Sequence, residues 1–465
     1  MTGHGGAATA RLPRFPDGFV WGAATASYQI EGAVAEDGRG PSVWDTFCRT
    51  EGRVRDGDTG DVACDHYHRW PQDVDLLAGL GLTGYRFSVA WPRVVPTGSG
   101  AVNEAGLAFY DRLVDALLDK GITPLPTLFH WDLPQPLENA GGWLSRDTAH
   151  RFGDYAAVVA DRLGDRVPRW VTLNEPFIHM ALGYAFGSHA PGRALLLDAL
   201  PAGHHQLLAH GLAAEALRSS GSATGRRPEV LLTNNLTPVA PASDDPADAA
   251  AAAVYDALHN RFFTDPVLLG RYPDLSAVGL PEMPPWVLDG DLATISGRGH
   301  HLDGLGVNYY NPTHVAAAPD GPLPFAPVRV EAPTRTGFDW PVLPGGLHDL
   351  LTGLQARYGR ALPPVWVTEN GCSYPDVVAP DGAVHDPERI AFLDGHLRAL
   401  HAAIADGVDV RGYYVWSLLD NFEWADGYSQ RFGLVHVDFE TLVRTPKDSY
   451  AWLRDEVAAQ RGPLP

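Results

Sequence analysis

Two glutamates stand in matched settings. Glu175 lies in Trp170-Val-Thr-Leu-Asn174-Glu175-Pro176 and Glu369 in Val365-Trp-Val-Thr368-Glu369-Asn370-Gly371. Each follows a short apolar run and sits beside a residue that breaks a strand. A carboxyl at the end of a buried strand is unfavourable unless it has partners or a task. A pair of them suits glycosidic cleavage. A protonated carboxyl helps the leaving oxygen depart, while an ionised one attacks the anomeric carbon from about 5–5.5 Å away. Taken alone, a glutamate at a strand end is more often an ion-pair partner. The matched pair leaves the chemical and the structural readings evenly balanced.

Elements able to hold such a pair recur along the chain. Short apolar runs at 19–24, 84–88, 123–129, 169–173, 229–234, 304–307, 365–368 and 412–415 read as strands. They are apolar throughout rather than alternating, as parallel strands covered on both faces are. Helical periodicity falls at 103–120, 146–163, 246–263, 387–405 and 447–459. Asn103 is placed to cap the first of these and Gly121 to end it. Eight strands with intervening helices predict an α/β fold, a single (β/α)8 TIM barrel with elongated βα loops, although the pattern alone also admits a doubly wound sheet. In a barrel both glutamates would stand at the C-terminal mouth. The Pro- and Gly-rich stretch 312–346 has no clear period and reads as one long loop after the sixth strand.

Composition narrows the function. The 465 residues carry 20% charged and 45% hydrophobic side chains, an ordinary globular mixture. No composition break marks a second domain, so 14–465 is taken as one catalytic domain and 1–13 as a flexible tail. A formal net charge of −21 argues against a nucleic-acid surface. No run approaches 18 apolar residues, so no membrane span is expected. The start has no apolar signal-peptide core. Cys48, Cys64 and Cys372 are odd in number and fit no metal spacing. A reduced, cytoplasmic protein is the simplest reading. The 13 Trp exceed ordinary usage; such rings pack cores and also suit the apolar faces of sugars.

The residues around both glutamates resemble glycoside hydrolase family 1, over nearly all of Phe15 to Trp452. Thr368-Glu369-Asn370-Gly371 is similar to that family's nucleophile signature, and Asn174-Glu175-Pro176 to its acid/base signature. The run Phe15-Pro-Asp-Gly-Phe-Val-Trp-Gly-Ala-Ala-Thr-Ala-Ser-Tyr-Gln29-Ile-Glu31-Gly32 resembles its opening motif. The resemblance implies a retaining β-glycosidase of the β-glucosidase type, acting on aryl glucosides or cello-oligosaccharides and so suited to cellulose degradation. Glu369 would attack and Glu175 would serve as acid, then base. Arg86 in Tyr85-Arg86-Phe87-Ser88 would lie beside Glu369 and lower its pKa, and Tyr310 in Asn308-Tyr309-Tyr310 would hydrogen-bond it. Glu175 would carry a raised pKa that falls once Glu369 is esterified.

The same resemblance implies that Gln29, His130, Trp131, Asn174 and Glu423 hold the sugar, with Trp416 and Trp424 completing its pocket and Trp340 on the leaving-group side. Glu423 stands where phosphoglycosidases of the family usually carry Ser, so free sugars are expected. Cys372 replaces a smaller residue and is expected to be buried and inert. The adjacent pairs His204-His205 and His300-His301 read as capping or surface residues, not ligands. No zinc motif, phosphate loop or Gly-x-Ser-x-Gly elbow occurs. Small-molecule β-glucosides are the implied partners, with no cofactor, metal, nucleic acid or membrane. A transglycosylase, a β-galactosidase or β-fucosidase, and a non-catalytic sugar-binding protein are the competing readings.

Overall fold

The computed structural model describes residues 11–225, 227–297 and 302–461. Eight parallel strands close in chain order into a barrel: β1 (Val20–Ala24), β2 (Gly84–Ser88), β3 (Thr123–Phe129), β4 (Arg169–Asn174), β5 (Glu229–Asn235), β6 (Gly304–Asn308), β7 (Val365–Asn370) and β8 (Val410–Trp416). β1 completes the ring against β8, in register from Val20↔Gly412 to Ala24↔Trp416. A doubly wound sheet has two edges; this one has none. All eight expected strands are present, but β4, β5, β6 and β7 run on to Asn174, Asn235, Asn308 and Asn370. The apolar pattern stops short because these last rungs carry side-chain amides.

Helices fill the intervals. Arg146–Leu163 and Pro387–Ala405 match expectation, as do Glu104–Asp119 and Asp448–Gln460 within a residue. Asn103 does not cap its helix; its amide donates instead to the carbonyls of Asp37 and Arg93, at 2.7 and 2.9 Å. The Ala-rich helix runs over Pro246–Asp256, widens into a π-helical turn at Ala257–Arg261, and continues as Phe262–Leu269. The longest helices without a legible period in the sequence are His66–Gly79, Leu200–Thr224 and Gly345–Tyr358. Leu200–Thr224 buries polar residues among its apolar ones, which erases the amphipathic signal. Two of them correct the expectation of surface histidines. His204 pairs with Tyr272 and Asp291 at 2.8 and 2.9 Å, and His205 with the carbonyl of Trp143 at 2.9 Å; both are buried. His300 and His301 lie outside the described residues.

The stretch 312–346 is not all loop. Thr313–Ala317 and Phe325–Val328 pair with each other and, through the first, with Val239–Pro241. Two prolines, Pro324 and Pro327, hid the alternation. Within the expected tail, Arg11 and Leu12 are anchored to Glu456 and Leu12 is buried, so the described part of that stretch is held down by the last helix. All three cysteines are buried and free, and burial pushes the Cys372 thiol up to about 12. Among the described residues, no helix is long and apolar enough to cross a membrane.

A buried charge cluster ties the last two βα loops to the C-terminal helix. Lys447 Nζ donates to Asp376 at 2.5 Å and to Asp420 at 2.7 Å. Arg389 bonds Asp376 and Asp386, and Arg431 bonds Asp420. Asp376 follows β7 and Asp420 follows β8, so the cluster holds both segments over the barrel mouth. Replacing Lys447 by Met takes one of two cations from each of the buried carboxylates Asp376 and Asp420. Lys447→Met is expected to lower the unfolding free energy by about 3–5 kcal/mol. Denaturant titration checks this, and a loss below about 1 kcal/mol would contradict it.

Candidate active site

Most of the site residues expected from sequence stand at or just beyond the C-terminal end of a strand, where barrel loops converge, while Arg86 lies within β2 and Trp340 in the long segment after β6. Arg86 is on β2; His130 and Trp131 follow β3; Asn174 ends β4 and Glu175 follows it. Tyr310 follows β6, Glu369 lies near the end of β7, and Trp416 ends β8 with Glu423 and Trp424 beyond. Gln29 rides on the short helix Ser27–Ile30 after β1. Local backbone aims these side chains. Trp131, Glu175 and Trp424 have φ of 75°, 47° and 51°, left-handed values that cost of order 1 kcal/mol or more and persist only where surroundings fix them. The register of β7 shifts against both neighbours around Glu369, the re-aiming that a bulge provides. Gly371 then lets the chain pass β8, since a Cβ there would stand 1.7 Å from the Trp416 carbonyl oxygen.

The two carboxyls differ in their partners. Glu369 accepts from the guanidinium of Arg86 and, at 2.7 Å, from the hydroxyl of Tyr310. Arg86 is itself buried; its other donors go to Thr127, the Thr368 carbonyl and Asn174. Glu175 accepts only amides, on one oxygen: Asn308 Nδ2 at 2.8 Å and Asn235 Nδ2 at 3.1 Å, both to Oε1. Burial and then the charge of Glu369 push Glu175 up to about 8, against the pull of Asn308, Asn235 and Arg86. Glu369 is also raised. Arg86 and Tyr310 act in the lowering direction expected from sequence, but burial outweighs them.

A cavity of ≈ 370 Å³ opens over both carboxyls. His130, Trp131, Trp416, Glu423 and Trp424 form part of its wall, and Tyr310 and Trp340 line it as well. Gln29, Arg86 and Asn174 stand behind this wall. Gln29 Nε2 donates to Asn421, to the Phe422 carbonyl and to Glu423 at 3.2 Å, and its Oε1 is buried without a partner. Asn174 accepts from Arg86 and Asn308 and donates to His130 Nε2 at 2.9 Å. Trp131 spends its indole N–H on the Asn174 carbonyl, so it offers the cavity a ring face rather than a donor. Trp340 is half-buried and stacks on Phe338 with centroids 4.8 Å apart. Burial, Asp426 and Glu369 push Glu423 up to about 8.

These features find a counterpart in known proteins. The profile of Glycosyl hydrolase family 1 matches residues 12–462. The chain belongs to glycosyl hydrolase family 1. It is 51% identical to thermostable beta-glucosidase B of Thermobispora bispora, over 95% of this chain and 90% of that one. It is 46% identical to a bifunctional beta-D-glucosidase/beta-D-fucosidase of Bifidobacterium breve, over 96% and 98%. The solved beta-glucosidase from Thermotoga maritima in complex with glucoimidazole superposes with a TM-score of 0.91 at 42% identity, covering 96% of this chain and 99% of that one.

Several residues around the carboxyls of this family 1 protein were not singled out from sequence. Asn308 and Asn235 are the amides on Glu175, and Phe338, Phe432 and His259 also line the cavity. The available signal was an Asn closing an apolar run, the same arrangement that marked Asn174. Among the described residues, no three His, Cys, Asp or Glu side chains group to hold a metal ion.

The folded protein holds the Glu175 proton to higher pH than an unfolded chain, whose value is near 4.5. Its contribution to stability is therefore full below pH 4.5 and is lost as pH rises towards about 8. Glu175→Gln removes that loss. The variant is expected to match wild type near pH 4.5 and to exceed it by about 3 kcal/mol at pH 7. Parallel stability–pH curves for the two proteins would contradict the raised pKa.

Proposed function

We propose that the protein is a retaining β-glucosidase that releases terminal β-D-glucosyl residues from small β-glucosides such as cello-oligosaccharides and aryl glucosides. One observation carries the assignment of roles: Glu369 meets a cation and a phenol, whereas Glu175 meets only amides and keeps its proton to about pH 8. Glu369 attacks the anomeric carbon and forms a covalent glycosyl-enzyme. Glu175 gives its proton to the departing oxygen, then takes one from water. Because both amides bind Oε1, Oε2 is the oxygen that carries the exchanged proton. Esterifying Glu369 removes the charge that helps to raise Glu175, so Glu175 becomes a better base for the second step.

Glu423 and His130 supply the polar contacts to the sugar, with Gln29 and Asn174 behind them bonded to Glu423 and His130, between the rings of Trp131, Trp416 and Trp424, with Trp340 on the leaving-group side. Free rather than phosphorylated sugars fit this pocket. A phosphate would meet Glu423, Asp426, Glu175 and Glu369, and no Lys or Arg lines the cavity among the described residues. The Thermobispora relative is named a beta-glucosidase, and the Thermotoga structure holds glucoimidazole. The bifunctional Bifidobacterium relative supports β-D-fucosides as second substrates. Three unpaired cysteines support a cytoplasmic setting.

Release of nitrophenol from 4-nitrophenyl β-D-glucoside tests this reading. Wild type is expected to turn over, with near-complete loss in Glu369→Gln. Activity should fall along a basic limb near pH 8. Glu175→Gln should lower the rate by roughly 10²–10⁴ and lose that limb. A folded wild type without turnover, or a limb unchanged in Glu175→Gln, would overturn the assignment. A preference for the 6-phosphoglucoside over the glucoside would overturn the pocket reading.

A further inference from the structure

Asn235 and the helix outside it form a hydrogen-bonded chain that ends on Glu175. His259 lies in the π-helical turn Ala257–Arg261, a wide turn of the kind often found at functional sites. Its Nε2 is 3.2 Å from the Asn235 main-chain oxygen and 3.2 Å from Asn235 Oδ1. A carbonyl only accepts, so Nε2 bears the hydrogen and Nδ1 is bare. Nδ1 faces the hydroxyl of Tyr255 at 3.0 Å, which donates to it. The ring is buried and stacks on Phe177 with centroids 3.9 Å apart. With its oxygen turned to His259, Asn235 has only its amide nitrogen left to face Glu175, and Nδ2 meets Oε1 at 3.1 Å.

We propose that His259 is a positioning residue that orients the Asn235 amide and thereby keeps the Glu175 proton on the oxygen facing the leaving group. The inference rests on Glu175 being the acid/base. Asn308 Nδ2 already donates to Oε1, and its own orientation is fixed because its oxygen accepts from the Thr368 hydroxyl at 2.7 Å. Without His259 the Asn235 side chain is free to turn. Its oxygen would then face Oε1 and draw the proton there as O–H···O, away from Oε2. The protonated acid would be favoured and its proton misplaced. Charged and titratable groups around Glu175 are Glu369, Arg86, Tyr310 and Glu423; around His259 they are Tyr255 and Asp256. Burial holds His259 down to about 4, so it stays neutral across the working range. Protonation of Nδ1 would in any case leave the Nε2 hydrogen in place.

The test compares His259→Phe and His259→Gln on two substrates over pH. Cellobiose needs protonation of its leaving oxygen, and 2,4-dinitrophenyl β-D-glucoside hardly does. His259→Phe keeps a ring on Phe177 but removes the donor. It is expected to lower kcat/KM about fivefold more for cellobiose than for the dinitrophenyl glucoside, and to move the basic limb upward. His259→Gln presents an N–H at a similar reach and should recover both. Should His259→Phe not fold, Tyr255→Phe carries the test, with smaller changes in the same directions. Equal losses on both substrates, or an unmoved limb, would overturn the role of His259. Glu175→Gln run alongside separates the two ideas: if that variant keeps the basic limb, the acid/base reading itself has failed.

Discussion

Two carboxyls buried side by side repel each other and lack water, and only Arg86 stands in direct contact with either as a cation among the described residues. How Arg86 shares its donors decides the site. One nitrogen goes to Glu369, another to the oxygen of Asn174. The first makes Glu369 the more readily ionised of the pair. The second fixes the Asn174 amide, whose nitrogen is then left for His130. Glu175 receives no cation contact. Amides from β5 and β6 hold it in place without compelling it to ionise. Difference in partners, with burial common to both, separates the carboxyl that keeps its proton from the one that ionises more readily.

Such an arrangement needs rigid support, because a rotated amide or a displaced loop would alter protonation directly. Support comes from charge as well as from packing. Lys447, Arg389 and Arg431 interleave with Asp376, Asp386 and Asp420 behind the β7 and β8 loops. Glu423 and Trp424 lie a few residues beyond Asp420 on the same segment. A hydrogen bond from Gln29 to Asn421 joins that segment to the helix after β1. The wall of the cavity is thus closed by loops from opposite ends of the chain, as the pairing of β1 with β8 requires.

Sequence made the barrel legible because its strands are apolar throughout and spaced by helices. It made the carboxyl pair legible because Glu175 and Glu369 each follow such a strand within motifs of the family. What stayed hidden was polar and buried. Asn235 and Asn308 read as ordinary strand-end residues, since nothing local tells that their amides converge on Glu175 from different strands. His204 and His205 read as surface residues because their partners, Tyr272, Asp291 and Trp143, are distant in sequence. Leu200–Thr224 carries no clean apolar stripe, since it is covered on several faces. The small sheet after β6 was masked by Pro324 and Pro327. The direction of the Glu369 shift was also out of reach: the cation beside it was legible, the depth of burial was not.

The central claim is that Glu369 forms the covalent bond to the sugar. Incubation with 2-deoxy-2-fluoro-β-D-glucosyl fluoride tests it most directly, because the 2-fluoro group slows both steps while fluoride departs readily, so the intermediate accumulates. Peptide mass mapping should then find the fluoroglucosyl label on the peptide containing Glu369, with loss of activity in proportion to labelling. Label on Glu175, or an active enzyme that takes up no label, would contradict the account.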